Sequence, residues 1–434
     1  MCDSRVIAET RCYMCDGVIY AASWLLNPDA PPVSGGALLV RDGSIAAVGP
    51  LAALRRDYAA PVLDFTGCAL LPGFVNAHTH LELTHFPSWR LRSAVDYNPR
   101  RFTDWIIQLI KIARGLTAED YPPSVREGVR MCLESGTTAI GEIVTNPALA
   151  ALYHGSPLAG RTYFELLGQD AGYFSGRLAA ATAAALTADT GAMLCGLSPH
   201  SPYTIGQDRL AAVRDAAAAH SLPLSIHLSE SRAEADFIFD GSGDLSSSFY
   251  PFVGWERFLG HQARCSSTEL LDRHGLLTPN TLAVHCVHVS SADAGIIKAR
   301  GTHIALCPRS NELLDVGRAP VHLFKKTGIP MSLGTDSLAS NNSLSLWDEL
   351  RFALENFSDD LSESDVFRMV TTGGAAALGL SAACGSLEAG RRADFQIVGN
   401  CSGGDERILE RVMREGVLQE VYVGGECYAG TPPD

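Results

Sequence analysis

Lysine is nearly missing from this chain of 434 residues. Only Lys111, Lys298, Lys325 and Lys326 occur, while arginine is common, and acids outnumber bases to leave a net charge of −14. Binding to a phosphate backbone needs a basic surface, so nucleic acid is excluded as the main partner. The bias toward arginine reads as genome composition. Also missing is any apolar run of ~18 residues, so no membrane span is expected. The opening residues, MCDSRVIAETRCYMCD, carry acids and lack a basic stretch leading into an apolar core, so no signal peptide is expected. The 12 cysteines are scattered. The only CxxC, Cys12 to Cys15, has no second pair at zinc-ribbon spacing, and a chain of this size needs no disulfide scaffold. Reduced thiols in a cytoplasmic protein are the expectation.

What is present is ample apolar material, 46% of the chain, enough for a large core. Residues 1–70 read as short strands and turns. GGALLVRDGSIAAVG is a strand, an Asp-Gly turn and a second strand. Residues 385–434 have the same texture, in GSLEAGRRADFQIV and EVYVGGECYAG. The two ends are expected to pair into one small composite β-sandwich domain. Between them, residues 71–384 alternate strand-like and helix-like segments. The strand candidates are ALLPGFVNAH, TTAIGEIV, RTYFELLG, MLCGLSPHS, LPLSIHLSE, TLAVHCVHV, THIALCPRS and PMSLGTDS. Their number is what an α/β fold of the (β/α)₈ TIM-barrel kind requires.

Polar residues interrupt these strands at their C-terminal ends, where a barrel places its chemistry. His78 and His80 are two apart and so share one strand face. Taken alone, HxH is weak, since a buried hydrogen-bonded pair explains it as well. His227, His285 and Asp336 then recur at the ends of later strands. Three imidazoles and a carboxylate brought to one point would bind a divalent cation such as Zn²⁺ or Fe²⁺.

The pattern resembles the amidohydrolase superfamily, and more narrowly its metal-dependent deaminase and chlorohydrolase branch. PGFVNAHTH is similar to the first-strand motif, HLSE to the fifth, HC to the sixth and GTDSLASNN to the eighth. PHSPYT, CPRSN and GSLEAGRRADF extend the likeness over nearly the whole chain. The resemblance implies that His78, His80, His227 and Asp336 bind one metal. It implies that Glu230 and His285 handle protons, with Asp336 helping to orient water, and that His200 faces substrate. Two-metal members bridge their ions with a carboxylated lysine on the fourth strand. Here that strand, MLCGLSPHS, has none, so a single Zn²⁺ or Fe²⁺ is expected.

Glu230 lies three residues past His227, where the chain turns into the barrel mouth. A carboxyl there can shuttle one proton twice, as loss of an amine demands. The competing reading makes it a helix N-terminal charge, because SESRAE resembles a capping segment. The expected reaction is hydrolytic deamination of an amino-substituted heterocycle, an adenine nucleoside derivative of the aminodeoxyfutalosine, S-adenosylhomocysteine or methylthioadenosine type. Arg309 in CPRSN would pair with an acidic group on the substrate, or structurally with Glu312 or Asp315. Trp89, beside Arg90 and Arg92, is a further substrate-binding candidate. So is Trp255, within the aromatic-rich loop 236–262, read as a lid or as an excursion packed on a neighbouring helix or subunit. Two alternatives remain: a chlorohydrolase acting on a triazine-like ring, and a non-catalytic structural relative, which would normally have lost ligands that are all present here. The partner is a small-molecule substrate, and symmetric association into a homodimer is the general expectation.

Overall fold

The computed structural model describes residues 17–153, 155–260, 262–401 and 407–430. Cys12 and Cys15 lie outside them. The first strands are β1 (Val18–Leu25), β2 (Val33–Ser34), β3 (Gly36–Arg41), β4 (Ser44–Pro50) and β5 (Val62–Pro72). Next come β6 (Phe74–Thr79), β7 (Thr137–Val144), β8 (Ala159–Leu166), β9 (Met193–Pro199), β10 (Leu224–Leu228), β11 (Thr281–His285), β12 (His303–Leu306) and β13 (Met331–Leu333). The last are β14 (Phe395–Gly399), β15 (Val417–Val423) and β16 (Glu426–Ala429). The chain forms two compact units: the described residues up to Asn76 with Arg130–Ala139 and Ser345 onward, and Ala77–Val129 with Ile140–Leu344.

In the first unit, strands from both ends of the chain share one sheet, in the order β16-β15-β14-β5-β1-β3-β4, with β2 beside β1. The sheet folds back on itself. Ser44, the first residue of β4, bridges to Arg392, and Ala393 N donates to Gly43 O, in the turn after β3, at 2.9 Å. The enclosed face is aromatic: the Tyr20 ring stands 4.8 Å from Phe395 and 5.0 Å from Tyr422, both edge-on. Alternation along β1 and β3 explains the other face, where Ile19, Ala21, Ala37 and Leu39 pack on Leu54 of the helix Leu51–Asp57.

Strands β6 to β13 lie side by side in sequence order as an eight-stranded sheet. The pairings described among β8 to β13 are parallel. A parallel sheet covered on both faces needs near-continuous apolar strands, and β6, β7 and β8 are buried at every position. A parallel bridge between Thr79 and Asp336 joins the last strand to the first and closes the barrel. Asp336 N donates to His78 O at 3.0 Å, and Thr79 Oγ1 donates to Asp336 O at 2.9 Å across the same seam. Gly334 permits that approach: a Cβ there would meet His78 O at 2.8 Å and His78 Cβ at 2.9 Å. Gly334→Ala is therefore expected to destabilise the fold by about 1–3 kcal/mol, read as a lower denaturation midpoint.

Helices fill the gaps between these strands, among them Phe102–Arg114, Ala171–Thr187 and Ser291–Arg300. Ser291–Arg300 shows why its ends fall where they do. Ser290 and Asp293 cap its start reciprocally, and Gly301 takes a left-handed φ of 69° at its end. The segment 236–262 is not an open loop. It continues the helix Arg232–Asp240 into a wide helical turn Leu245–Phe249, a short helix Tyr250–Val253 and a tight turn Glu256–Phe258. Phe249 and Tyr250 are buried and hold it down. Among the described residues no helix is long and apolar enough to cross a membrane.

Candidate active site

His78 and His80 project from the end of β6, His227 from β10 and His285 from the last position of β11, while Asp336 follows β13. Their side chains converge. His78 Nε2 is 3.2 Å from His80 Nε2, and the donor atoms of His78, His80 and His227 all lie within 4.8 Å of one another. Asp336 Oδ1 stands 3.7 Å from His78 Nε2 and 3.6 Å from His80 Nε2. Two imidazole nitrogens each ~2.0–2.1 Å from one tetrahedral ion sit about 3.3–3.4 Å apart. The approach of the first two rings is thus the spacing that ligation demands.

The surroundings keep these groups in the form in which they could bind a metal ion. His227 Nδ1 faces the His200 carbonyl at 2.9 Å, so Nδ1 carries the proton and Nε2 keeps its lone pair. Burial holds the His80 imidazole down at about 3 and pushes His78 and His227 down as well. A neutral ring is the form that ligates. Burial alone would raise the Asp336 carboxyl, but the bond to His78 and the surrounding imidazoles outweigh it and hold the group well below the usual carboxylate range. Ser310 Oγ and Ser340 Oγ donate to Asp336 Oδ2 at 2.7 and 2.8 Å, which leaves Oδ1 toward the imidazoles.

Glu230 completes the group. It is buried, and its Oε1 lies 3.6 Å from His285 Nε2. His285 Nδ1 is 3.0 Å from Asn311 Oδ1 and donates to it, so Nε2 is an acceptor. That Nε2 is buried without a hydrogen bond, 4.0 Å from Asp336 Oδ2. An acceptor nitrogen set between two carboxylates in this way fits residues arranged around an ion and its water. Burial pushes the Glu230 carboxyl up to about 7; His285 opposes the shift, while Asp336 and Glu234 add to it. The capping of the helix Arg232–Asp240 falls to other residues. Ser231 Oγ accepts from Glu234 N, and the Glu234 carboxylate reaches back to Ser229 N at 2.8 Å and Glu230 N at 3.0 Å. Ser229, His285, Cys286 and Asp336 have φ of 51°, 68°, 51° and 57°. Non-glycine residues in this region cost about 1–2 kcal/mol each, a strain concentrated here at the strand ends that carry the site.

The expected substrate-side residues spread further. His200 follows β9 with its ring 4.9 Å from His227, and its Nδ1 faces the hydroxyls of Ser201 and Thr204 at 3.0 and 3.1 Å. Trp255 stacks edge-on against Tyr250 at 5.6 Å, and Tyr250 Oη donates to Tyr203 O at 2.9 Å, which ties 236–262 to the PHSPYT turn. Trp89 is buried with Phe86, Ile112 and Ala339. Arg309 reaches Asn341 and Asn342. Glu312 and Asp315 face Arg100, at 3.5 and 3.6 Å.

The profile of the amidohydrolase family matches residues 69–427. The chain belongs to the amidohydrolase family. A 5-methylthioadenosine/S-adenosylhomocysteine deaminase of Syntrophobacter fumaroxidans is 32% identical over 391 residues, 86% of this chain and 82% of that protein. An aminodeoxyfutalosine deaminase of Deinococcus radiodurans is 30% identical over 334 residues, 74% of this chain and 76% of that protein. The crystal structure of Helicobacter pylori aminofutalosine deaminase with methylthio-coformycin is 25% identical, with a TM-score of 0.80 over 94% of this chain and 99% of that one. This amidohydrolase is an enzyme of the class that hydrolyses carbon–nitrogen bonds.

Several residues of the site escape a reading by motif. Ser310 and Asn311 stand inside CPRSN, where only the arginine draws attention. Glu234 and Ser340 act through contacts that close only in three dimensions. Glu142 was detectable: an acid inside the apolar TTAIGEIV must meet a partner. Its carboxyl accepts from Leu81 N at 3.0 Å and Tyr153 Oη at 2.6 Å, so it grips the backbone next to His80.

Proposed function

We propose that this amidohydrolase deaminates an adenine nucleoside carrying a 5′ substituent, using one divalent ion, zinc or iron, held by His78, His80, His227 and Asp336. The observation that carries the reading is Glu230 Oε1 beside His285 Nε2 at 3.6 Å, next to the converged ligand set. When bound, the ion supplies activation of water near neutral pH. His285 Nε2 accepts a hydrogen bond from that water and, with Asp336, fixes its line of attack on the ring carbon that bears the amine. Glu230 takes a proton from the attacking water and delivers it to the ring nitrogen as the C–O bond forms. It then takes the remaining hydroxyl proton of the adduct and passes it to the exocyclic nitrogen as the C–N bond breaks, so the amine departs as ammonia. A carboxyl held at about 7 gives and takes a proton with little penalty near neutral pH.

Chloride would leave without a proton, so a built proton carrier favours an amine over a halide. The names of the curated relatives support the same substrate class. The test is release of ammonia by zinc- or iron-loaded protein from 5′-methylthioadenosine, S-adenosylhomocysteine and adenosine, with a chlorotriazine as contrast. Halide from the triazine, and no ammonia from any nucleoside, would overturn the reading.

A further inference from the structure

The barrel mouth divides into two arcs. The ligands and proton carriers rise from β6, β10, β11 and β13, and the ends of β7, β8 and β9 carry none of them. That second arc is nonetheless polar, and it brings Thr145, Glu165 and His200 together. Glu165, next to last in β8, is 7% exposed. Its Oε2 accepts from Thr145 Oγ1 at 3.1 Å, and no donor among the described residues reaches Oε1. Arg177 Nη2 donates to Thr145 O at 3.0 Å and Glu165 O at 3.1 Å, which locks both residues from behind. Across the sheet Glu165 is opposite Ser198, two residues before His200. Its charge acts on His200 and on His78. Glu165 Oε1 is thus left able to accept a hydrogen bond from a donor that a ligand brings to the mouth.

The proposed substrates limit what that donor is. The adenosine portion of a 5′-substituted nucleoside offers donors only at its exocyclic amine and its ribose hydroxyls. The amine is the leaving group and belongs beside Glu230. The ribose hydroxyls remain. We propose that Glu165 is a specificity-determining residue that accepts a hydrogen bond from a ribose hydroxyl, so that ribonucleosides are selected over their deoxy counterparts. The inference rests on the adenine-nucleoside reading above.

The test compares kcat/KM for ammonia release from adenosine, 2′-deoxyadenosine and 3′-deoxyadenosine, using zinc-loaded wild type, Glu165→Ala and Glu165→Gln. The wild type is expected to favour adenosine over at least one deoxy analogue by about ten- to a hundredfold. In Glu165→Ala that preference falls close to unity, because adenosine loses activity and the deoxy analogue does not. Glu165→Gln, which keeps an acceptor without the charge, falls between the two and decides the matter if the alanine variant does not fold. A wild type that releases ammonia but is blind to both hydroxyls would overturn the inference alone. So would variants that lose the same factor on all three substrates. No ammonia from any of them would overturn the functional reading, and the inference with it.

Discussion

Glu230→Gln is expected to lose at least about 10²–10⁴-fold in kcat while still binding its metal. The amide fills the same space and is not a ligand, so elemental analysis should return wild-type occupancy. What disappears is a group able to give one proton and receive another. The substitution carries a second signature. Burial raises the Glu230 carboxyl to about 7, above the usual carboxylate range. Folding therefore favours its protonated form. That contribution is fully present below the pH at which the unfolded chain ionises, and it is lost as pH rises through about 7. The amide has no such dependence. The variant should match or exceed the wild type in melting temperature above neutrality while being inactive. A variant that keeps most of its turnover would show that another group carries the proton.

Asp336→Ala is expected to weaken metal binding by more than about a hundredfold, since it removes a proposed ligand itself rather than a group supporting one. Three losses coincide. The carboxylate oxygen near His78 and His80 goes, the hydroxyls of Ser310 and Ser340 lose their acceptor, and alanine must take a left-handed φ of 57°. Ser310→Ala and Ser340→Ala separate these effects. Each leaves the carboxylate in place and should cost about ten- to a hundredfold in affinity. The comparison is made by metal titration of the chelator-treated protein and needs no substrate. Full occupancy in Asp336→Ala after dialysis would remove the residue from the proposed ligand set.

The barrel was legible because its strands are buried on both faces. Runs such as TTAIGEIV have no polar alternation, so their length and the glycine turns around them are enough to mark them. The histidines and Asp336 were legible for the complementary reason. A polar side chain closing an apolar strand breaks the burial pattern, and the same break recurs on strand after strand. The support around them was not legible. Glu234 looks like an ordinary first-turn acid, and only the left-handed Ser229 before it turns two backbone N–H groups toward its carboxylate. Asn311 finds His285 because β11 and β12 are neighbours in the sheet, a fact that no local pattern carries. Segment 236–262 misleads in the opposite sense. Its run DGSGDLSSS has the composition of a flexible loop, but buried Phe249 and Tyr250 organise it into helical turns.

The closure of the barrel has a consequence for how the enzyme is made. Asp336 comes from the final staves and His78 from the first, and they touch only where the ring is sealed. A nascent chain still short of residue 336 can own three imidazoles but lacks the proposed fourth ligand, so the proposed cage would be complete only once the whole barrel had been made.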